Sequence, residues 1–245
     1  MAAQPARGAE NPSAEALYRA GNFVAAIEAG EAEGGAQGLF VAAQAAIADA
    51  ELRDAPCAPC LQRPEDIARR AVDAAPDEVE GYVYLSVAIG LKARLVGMFA
   101  ARKEKLAEQS DEVSARALRL EPESSLALAS RGGWHIEVAR LAGHFLARVL
   151  YGARADEGKM HFREAIAAEP ENLVVKYQFA LSLSGYDFDD EREEIEMLLA
   201  QAIETAPRDA YETAVQQRAE ELATLLAEDH GHTYRERVDA FQGYP

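Results

Sequence analysis

Four short segments of the sequence share one alanine–proline arrangement, and this repeat limits the possible folds more than any other feature. In each segment a proline follows an alanine by five residues, at Ala71 and Pro76, Ala117 and Pro122, Ala165 and Pro170, and Ala202 and Pro207. Proline ends a helix because it has no N–H for the helical hydrogen-bond pattern. A small alanine allows two helices to pack closely. The repeat therefore predicts successive helix pairs.

Paired helices that stack in this way are typical of tetratricopeptide repeats. We predict an all-α, right-handed solenoid of about five pairs plus a C-terminal capping helix. It forms one domain over residues 13–228, between a flexible tail at 1–12 and an extension at 229–245. The predicted pairs are 13–19 with 23–31, 37–52 with 64–75, 78–95 with 101–120, 124–151 with 155–168, and 172–184 with 190–206, and the cap is 209–227.

The stretch 123–152 is predicted to be one long helix. Its apolar residues recur at helical spacing on several sides, so other helices must cover it on several sides. Gly132 and Gly133 each cost about 1 kcal/mol in a helix relative to alanine. We therefore predict that another helix backbone crosses closely at this point; the alternative is simply a poor helix position.

Composition and motifs narrow the function. The chain is 49% hydrophobic and carries a formal charge of −17, which argues against nucleic-acid binding. No nucleophile elbow, phosphate-binding glycine loop or HExxH motif occurs, so we expect neither an enzyme nor a cofactor. No apolar run reaches the length needed for a transmembrane segment.

The two cysteines, Cys57 and Cys60, fall in a predicted loop over 53–63. A zinc site would need a second pair of ligands, so a local disulfide and two reduced thiols remain as the alternatives. A disulfide requires an oxidising compartment. Together with the start rich in small residues, this favours the bacterial periplasm, with the cytoplasm as the alternative.

Charge is divided unevenly along the chain. Residues 91–163 contain 13 Lys or Arg against 9 Asp or Glu, whereas the remainder contains 12 against 33. Apolar residues rimmed by arginine suit an acidic peptide or an anionic head with an apolar tail. The alternatives to a binding site are that this segment is an ordinary helix junction whose basic side chains are solvated, and that His135 is a packed residue. The candidate ligand-binding residues, expected on the concave surface of the solenoid, are Lys92, Arg94, Met98, Phe99, Arg102, Arg131, Trp134, His135 and Arg140.

Five short segments are more specific than a generic helical repeat. They are YLSVA at 84–88, GLKAR at 90–94, ALRLEP at 117–122, GGWHIEVA at 132–139 and AIAAEP at 165–170. Over about 80–226 the chain resembles the helical-repeat domain of the regulator of microtubule dynamics family. The resemblance implies a helical-repeat fold, and phospholipid binding has been described for that fold. The acidic, alanine-rich composition suggests a bacterial relative, so a microtubule role is not implied.

Three functional hypotheses follow. The first is a non-enzymatic scaffold whose concave groove holds a partner peptide or protein. The alternative is a carrier or sensor of an amphipathic anion, such as a phospholipid, in a basic-rimmed apolar groove. The third is a structural subunit of a larger assembly.

Overall fold

The computed structural model describes residues 12–53, 57–228 and 230–244, without the side chains of residues 58 and 59. These residues form an all-α structure that contains no β-strand. The predicted tail lies outside them, except for its last residue. The helices are α1 (Ala14–Arg19), α2 (Phe23–Glu33), α3 (Gly35–Glu51), α4 (Ala58–Ala74), α5 (Val79–Lys103), α6 (Leu106–Leu120), α7 (Ser125–Ala142), α8 (His144–Leu146), α9 (Ala155–Ala168), α10 (Leu173–Tyr186), α11 (Phe188–Glu204), α12 (Ala210–Ala227) and α13 (Gly231–Gln242), with a π-helical turn at Ala147–Tyr151 between α8 and α9.

The repeated alanines mark contacts between helices. All four of them are completely buried: Ala71, Ala117, Ala165 and Ala202. Consecutive helices pack against each other along most of the chain, and α7 packs most extensively against α9. The sequence therefore identified packing positions correctly.

Two glycines allow α7 and α9 to cross closely. A Cβ atom added at Gly132 would lie 2.8 Å from the carbonyl oxygen of Gly158, and one added at Gly158 would lie 2.7 Å from the carbonyl oxygen of Gly132. The predicted close crossing is thus confirmed at Gly132. At Gly133 the nearest atom, on Phe162, is 3.9 Å away, so this glycine faces ordinary packing space.

The predicted long helix over 123–152 is wrong. Helix α7 ends at Ala142, and Gly143 has a φ of 74°, a left-handed value that glycine adopts without strain. A short helix and the π-helical turn follow. The physical reason is that the described part of the chain supplies no helix to cover the apolar side chains after Gly143, most of which are exposed.

Further boundaries differ from the prediction. Helix α4 begins at Ala58, with a proline in its first turn at Pro59, so Pro64 lies inside the helix and residues 58–63 are not a loop. The predicted end of a helix at residue 95 lies close to a break at Gly97, where φ is 76°, but helical structure resumes and continues to Lys103. The next helix begins at Leu106 and not at residue 101. Lys105 then reverses the chain with a φ of 54°.

The first and last parts of the chain contact each other. The Tyr211 hydroxyl donates to the Glu51 carboxylate at 2.5 Å, and Arg218 donates to the Glu51 carbonyl oxygen at 2.8 Å. A Cβ atom at Gly21 would lie 3.0 Å from that of Ala210. In an open repeat stack each unit contacts only its neighbours. Here α12 also packs on the N-terminal helices, so the first and last parts of the chain are joined.

The C-terminal extension is an integral part of this structure. Tyr234 and Val238 of α13 are 0% and 1% exposed, and the Tyr234 hydroxyl lies 2.6 Å from the hydroxyl of Ser184 on α10. A weakly docked or frayed segment would not bury these side chains. The predicted boundary at residue 229 therefore does not separate the extension from the core.

Among the described residues, α5 is the one helix that by length and composition alone could cross a membrane. The sequence analysis did not anticipate this. In the structure α5 packs against α3, α4, α6 and α7, and its Ser86 hydroxyl lies 3.2 Å from that of Ser110. The buried residues of α5 all lie between Gly81 and Leu91, in the first part of the helix.

Candidate functional site

Helices α5 and α7, which carry most of the candidate residues, are parallel neighbours. Val83 shares an apolar cluster with Ala127, and further along both helices Arg94 donates to Glu137 at 3.2 Å. The two helices therefore advance in the same direction. The kinks at Gly97 and Gly143 come shortly after the contact between Arg94 and Glu137 and leave the stack at the same end.

Arg94 is occupied inside the protein. Its guanidinium also donates to the carbonyl oxygen of Gln242, at the end of α13, at 3.3 Å. The side chains of Arg94 and Glu137 are 17% and 15% exposed. The Tyr244 hydroxyl donates to the same Glu137 carboxylate. The C-terminal segment therefore occupies the position where a ligand was expected.

Arg140 has the same kind of environment. It donates to Asp239 of α13 at 2.7 Å and to the side-chain oxygen of Gln242. Its guanidinium lies over the Tyr244 ring, 4.5 Å from the centroid. The Gln242 amide in turn donates to the carbonyl oxygen of Leu181 at 3.0 Å, which ties α13 to α10.

Arg131 and Trp134 form a stacked pair at the contact between α6 and α7. Arg131 donates to the Asp111 carboxylate at 2.5 Å and lies 4.4 Å from the centre of the Trp134 ring. The indole N–H donates to the carbonyl oxygen of Ala107 at 2.9 Å, and Trp134 is 6% exposed. All of these contacts are internal.

Lys92 lies between two carboxylates, with Glu65 and Glu104 both at 3.2 Å. Glu65 is 5% exposed and also pairs with Arg69 at 2.8 Å. Although burial would raise the pKa of Glu65, hydrogen bonds from Arg69 and Lys92 outweigh it and lower that pKa below the ordinary value. The carboxylate therefore stays charged, and Lys92 neutralises it.

His135 is a packed residue. It is 2% exposed, and its Nδ1 accepts the backbone N–H of Arg154 at 3.1 Å. Burial, followed by the charges of Arg131, His161 and Arg154, lowers the pKa of His135 to about 3. The imidazole is neutral at pH 7. Within the described part of the chain, no group of three potential ligands could hold a metal ion.

The cysteine sulfurs are joined at the start of α4. Cys57 caps the helix and Cys60 lies in its first turn, with the two Cα atoms 5.1 Å apart. The pair is remote in sequence from the basic segment. It fixes the first turn of a helix that carries Glu65, the partner of Lys92.

Two cavities lie near the closed groove. One, of about 30 Å³, is lined by Glu51, Leu61, Leu91 and Phe241 and has room for a water molecule. The other, of about 430 Å³, is open to solvent and lined largely by polar and charged residues of α10, α11 and α13, among them Asp187, Asp189 and Arg235. The first is too small for an acyl chain, and the second lacks the apolar lining that an acyl chain requires.

The other three candidate residues lie on an exposed surface beyond the kink in α5. Phe99 is 88% exposed and Met98 is 65% exposed, and Arg102 follows them on the surface. Beyond the matching kink in α7, Phe145 is 76% exposed. We call this surface the apolar edge and define it by six exposed side chains: Met98, Phe99, Phe145, Leu146, Val149 and Leu150.

The apolar edge is unusual for this molecule. Its six members are more than half of the eleven large apolar side chains that are exposed among the described residues. Large contiguous exposed apolar patches on soluble proteins mark interaction sites. The π-helical turn presents Val149 and Leu150 outward while its one buried residue, Ala147, anchors it against Trp134 and Val138.

Sequence reasoning missed the half of the edge that follows Gly143. The signal was present, because Phe145, Leu146, Val149 and Leu150 make one apolar face directly after a glycine. It was interpreted as a covered helix face. Only the structure shows that no helix covers it.

The comparisons with known proteins do not extend this description. No protein-family model matches the chain, and no curated protein matches it.

Proposed function

We propose that this protein is a non-catalytic binding protein, built as a tetratricopeptide-like helical-repeat stack, that attaches to its target through the apolar edge. The observation that carries the proposal is the exposure of Phe99 and Phe145 at the same end of two parallel helices. Aromatic side chains left in water are the usual anchors of binding surfaces. Both project from segments that are anchored by other residues, such as the buried Ala147 and the partly buried Ala101.

The concave groove is the weaker candidate for a partner peptide. Its four basic side chains, at 92, 94, 131 and 140, each have a carboxylate partner and are only 17–22% exposed. A peptide would have to displace α13 and break these ion pairs. Such exchange leaves buried charges without partners, which is costly.

An enclosed lipid carrier is also less well supported. A pocket that surrounds a ligand of this size is mostly apolar and encloses several hundred cubic ångströms. The larger cavity is open and polar, and the smaller one has room only for a single water molecule. Binding of an amphipathic anion therefore fits the apolar edge better than the interior.

The test places a photoreactive amino acid at Phe99 or at Phe145 in the full chain, expressed in its source organism. We expect covalent adducts at both positions after illumination. The matched controls carry the same photoreactive residue at Val24 or Met197, which are 51% and 49% exposed but lie on α2 and α11. Adducts only at the control positions, or at none of the four, would overturn the proposal.

We also propose that the protein works in an oxidising compartment such as the bacterial periplasm. The joined sulfurs of Cys57 and Cys60 support this, since local disulfides persist outside the cytoplasm. Alkylation of the protein under non-reducing conditions, followed by mass spectrometry, should leave both residues unmodified. Two alkylated thiols in protein taken directly from cells would contradict the proposal.

A further inference from the structure

The apolar edge consists of two projecting segments. Helix α5 continues past Gly97 and reverses at Lys105, and α7 is continued past Gly143 by α8 and the π-helical turn up to Gly152, where φ is 70°. Because α5 and α7 are parallel, both projections leave the same end of the stack. A convex pair of apolar tips differs in shape from the groove that receives a peptide.

Bases without partners surround these tips. Of the 13 Lys and Arg side chains in residues 91–163, all described in the structure, five have no carboxylate within 4 Å, and four of those five belong to the two projections. The four are Arg102, Lys103, Lys105 and Arg148, and each of these residues is exposed. The fifth, Arg119, is near the opposite end of α6. Unpaired positive charge is therefore concentrated beside the exposed apolar side chains.

We infer that the apolar edge docks on an anionic lipid bilayer, with the aromatic and aliphatic tips in the interface and the four bases at the level of the headgroups. This inference rests on the proposed function and names the target of the same surface. Apolar side chains flanked by Lys and Arg bind membrane surfaces in this way, and they enter only the headgroup–acyl boundary. Each base near an anionic surface contributes to the attraction.

A second copy of the chain fits the edge less well. In a two-fold symmetric dimer each surface patch meets the same patch of its partner. Arg102, Lys103 and Arg148 would then face the same bases of the second copy, and the nearby Glu104 is already paired with Lys92. An anionic surface satisfies all of them at once.

The remaining charge of the molecule sets the orientation. Outside residues 91–163 the chain carries 33 acidic against 12 basic side chains, so an anionic bilayer repels the rest of the molecule. The bilayer attracts the end of the molecule that carries the apolar edge and repels the acidic remainder. The protein therefore binds end-on, with its strongly acidic part directed away from the lipid.

The experiment is flotation of the full chain with vesicles of phosphatidylcholine alone or with 30% phosphatidylglycerol. We expect binding to the anionic vesicles that weakens as salt is raised, and little binding to the neutral ones. The double variant F99S/F145S should weaken binding by about 100-fold or more, because two large apolar side chains no longer enter the interface. The double variant R102Q/K103Q should weaken it by about 30-fold.

Each variant has a matched control. The double variant V24S/M197S removes two exposed apolar side chains elsewhere. The double variant R116Q/R119Q removes two bases on α6 outside the edge, of which Arg119 is exposed and Arg116 pairs with Asp77 at 3.7 Å. Both should bind anionic vesicles as the unmodified protein does. Circular dichroism melting of each variant verifies that it is folded.

Several outcomes would overturn the inference. The first is that the unmodified protein does not bind anionic vesicles. The second is that F99S/F145S and V24S/M197S bind them equally well. The third is that the protein forms a dimer, which F99S/F145S dissociates, and does not bind vesicles. Protein adducts at positions 99 and 145 without vesicle binding would overturn the lipid target and leave the proposed function intact. Absence of adducts and of vesicle binding would remove both.

Discussion

The groove between α5, α7 and α13 and the apolar edge contain bases from the same stretch of sequence, yet the two regions use them differently. In the groove, Arg94 and Arg140 meet acids of the same chain and are mostly buried. At the edge, Arg102 and Lys103 meet solvent. A stretch of sequence rich in Lys and Arg therefore does not by itself produce a positively charged surface. A basic side chain can bind a ligand only where the fold supplies no internal acidic partner for it.

The comparison also concerns apolar residues. Trp134 packs between α6 and α7, where its indole N–H donates to the Ala107 carbonyl oxygen, and it stabilises the fold. Phe99 and Phe145 are left in water at some cost to solubility, which a binding function explains. If this division is right, substitutions in the groove should affect stability, and substitutions at the apolar edge should affect binding alone. The largest expected effect comes first.

Removing a groove arginine should destabilise the fold strongly. The variant Arg94→Ala leaves Glu137 without its partner in a region where both side chains are less than one-fifth exposed, and it frees the Gln242 carbonyl oxygen. We expect a loss of about 3 kcal/mol in the free energy of unfolding, measured by urea denaturation. The double variant R94A/E137A should recover part of this loss. An unchanged midpoint for Arg94→Ala would show that the groove is not held by this pair.

The crossing of α7 and α9 distinguishes two adjacent glycines. A methyl group at Gly132 would meet the Gly158 carbonyl oxygen at 2.8 Å, and a backbone atom cannot move aside easily. Gly132→Ala should therefore cost up to about 3 kcal/mol in thermal or urea unfolding. Gly133→Ala is the control, and it should be neutral or stabilising by up to about 1 kcal/mol, because alanine favours the helix. Equal effects at the two positions would contradict the close crossing.

Acid should weaken the packing around His135. The pKa of His135 is about 3 in the folded protein and about 6.5 in the unfolded protein. Below pH 6.5 the unfolded state therefore binds more protons than the folded state, and the free energy of unfolding decreases as the pH is lowered. Between pH 7 and pH 5 this one residue should account for about 2 kcal/mol of lost stability. The variant His135→Asn keeps an acceptor for the Arg154 N–H and should show a shallower pH dependence by that amount. Parallel curves for the two proteins would show that His135 titrates normally.

Substitutions at the edge should leave stability almost unchanged. Phe99→Ser and Arg102→Gln alter exposed side chains that the core does not use, so each should stay within about 0.5 kcal/mol of the unmodified protein. The same denaturation experiment used for Arg94→Ala provides the measurement. A loss comparable to that of Arg94→Ala would mean that the edge is part of the core and would remove the contrast between the two regions.

Much of the local structure could be predicted from the sequence. The alanine–proline repeat located helix pairs, and the limits of α9 agree with the prediction at both ends. The close approach at Gly132 followed from two glycines in an apolar helix. These features depend on residues near one another in sequence, where helical periodicity and proline chemistry act directly.

The candidate site was predicted only in part. Met98, Phe99 and Arg102 lie at the edge, whereas Lys92, Arg94, Arg131, Trp134, His135 and Arg140 are used internally. The distinction depends on whether a partner from a distant segment reaches each side chain. The sequence around Arg94 does not indicate that its guanidinium donates to the carbonyl oxygen of Gln242.

The sequence by itself determined that the chain is helical, where most helices begin and end, and which small residues lie at helix crossings, because these follow from interactions within a few turns. Tertiary structure decided the rest. It brought Tyr211 to Glu51 and α13 to Arg94 and Arg140, which joined the first and last parts of the chain and neutralised the groove. It also left the segments beyond Gly97 and Gly143 uncovered. The physical reason is that burial and charge pairing depend on distances between remote segments, which only the packed chain fixes.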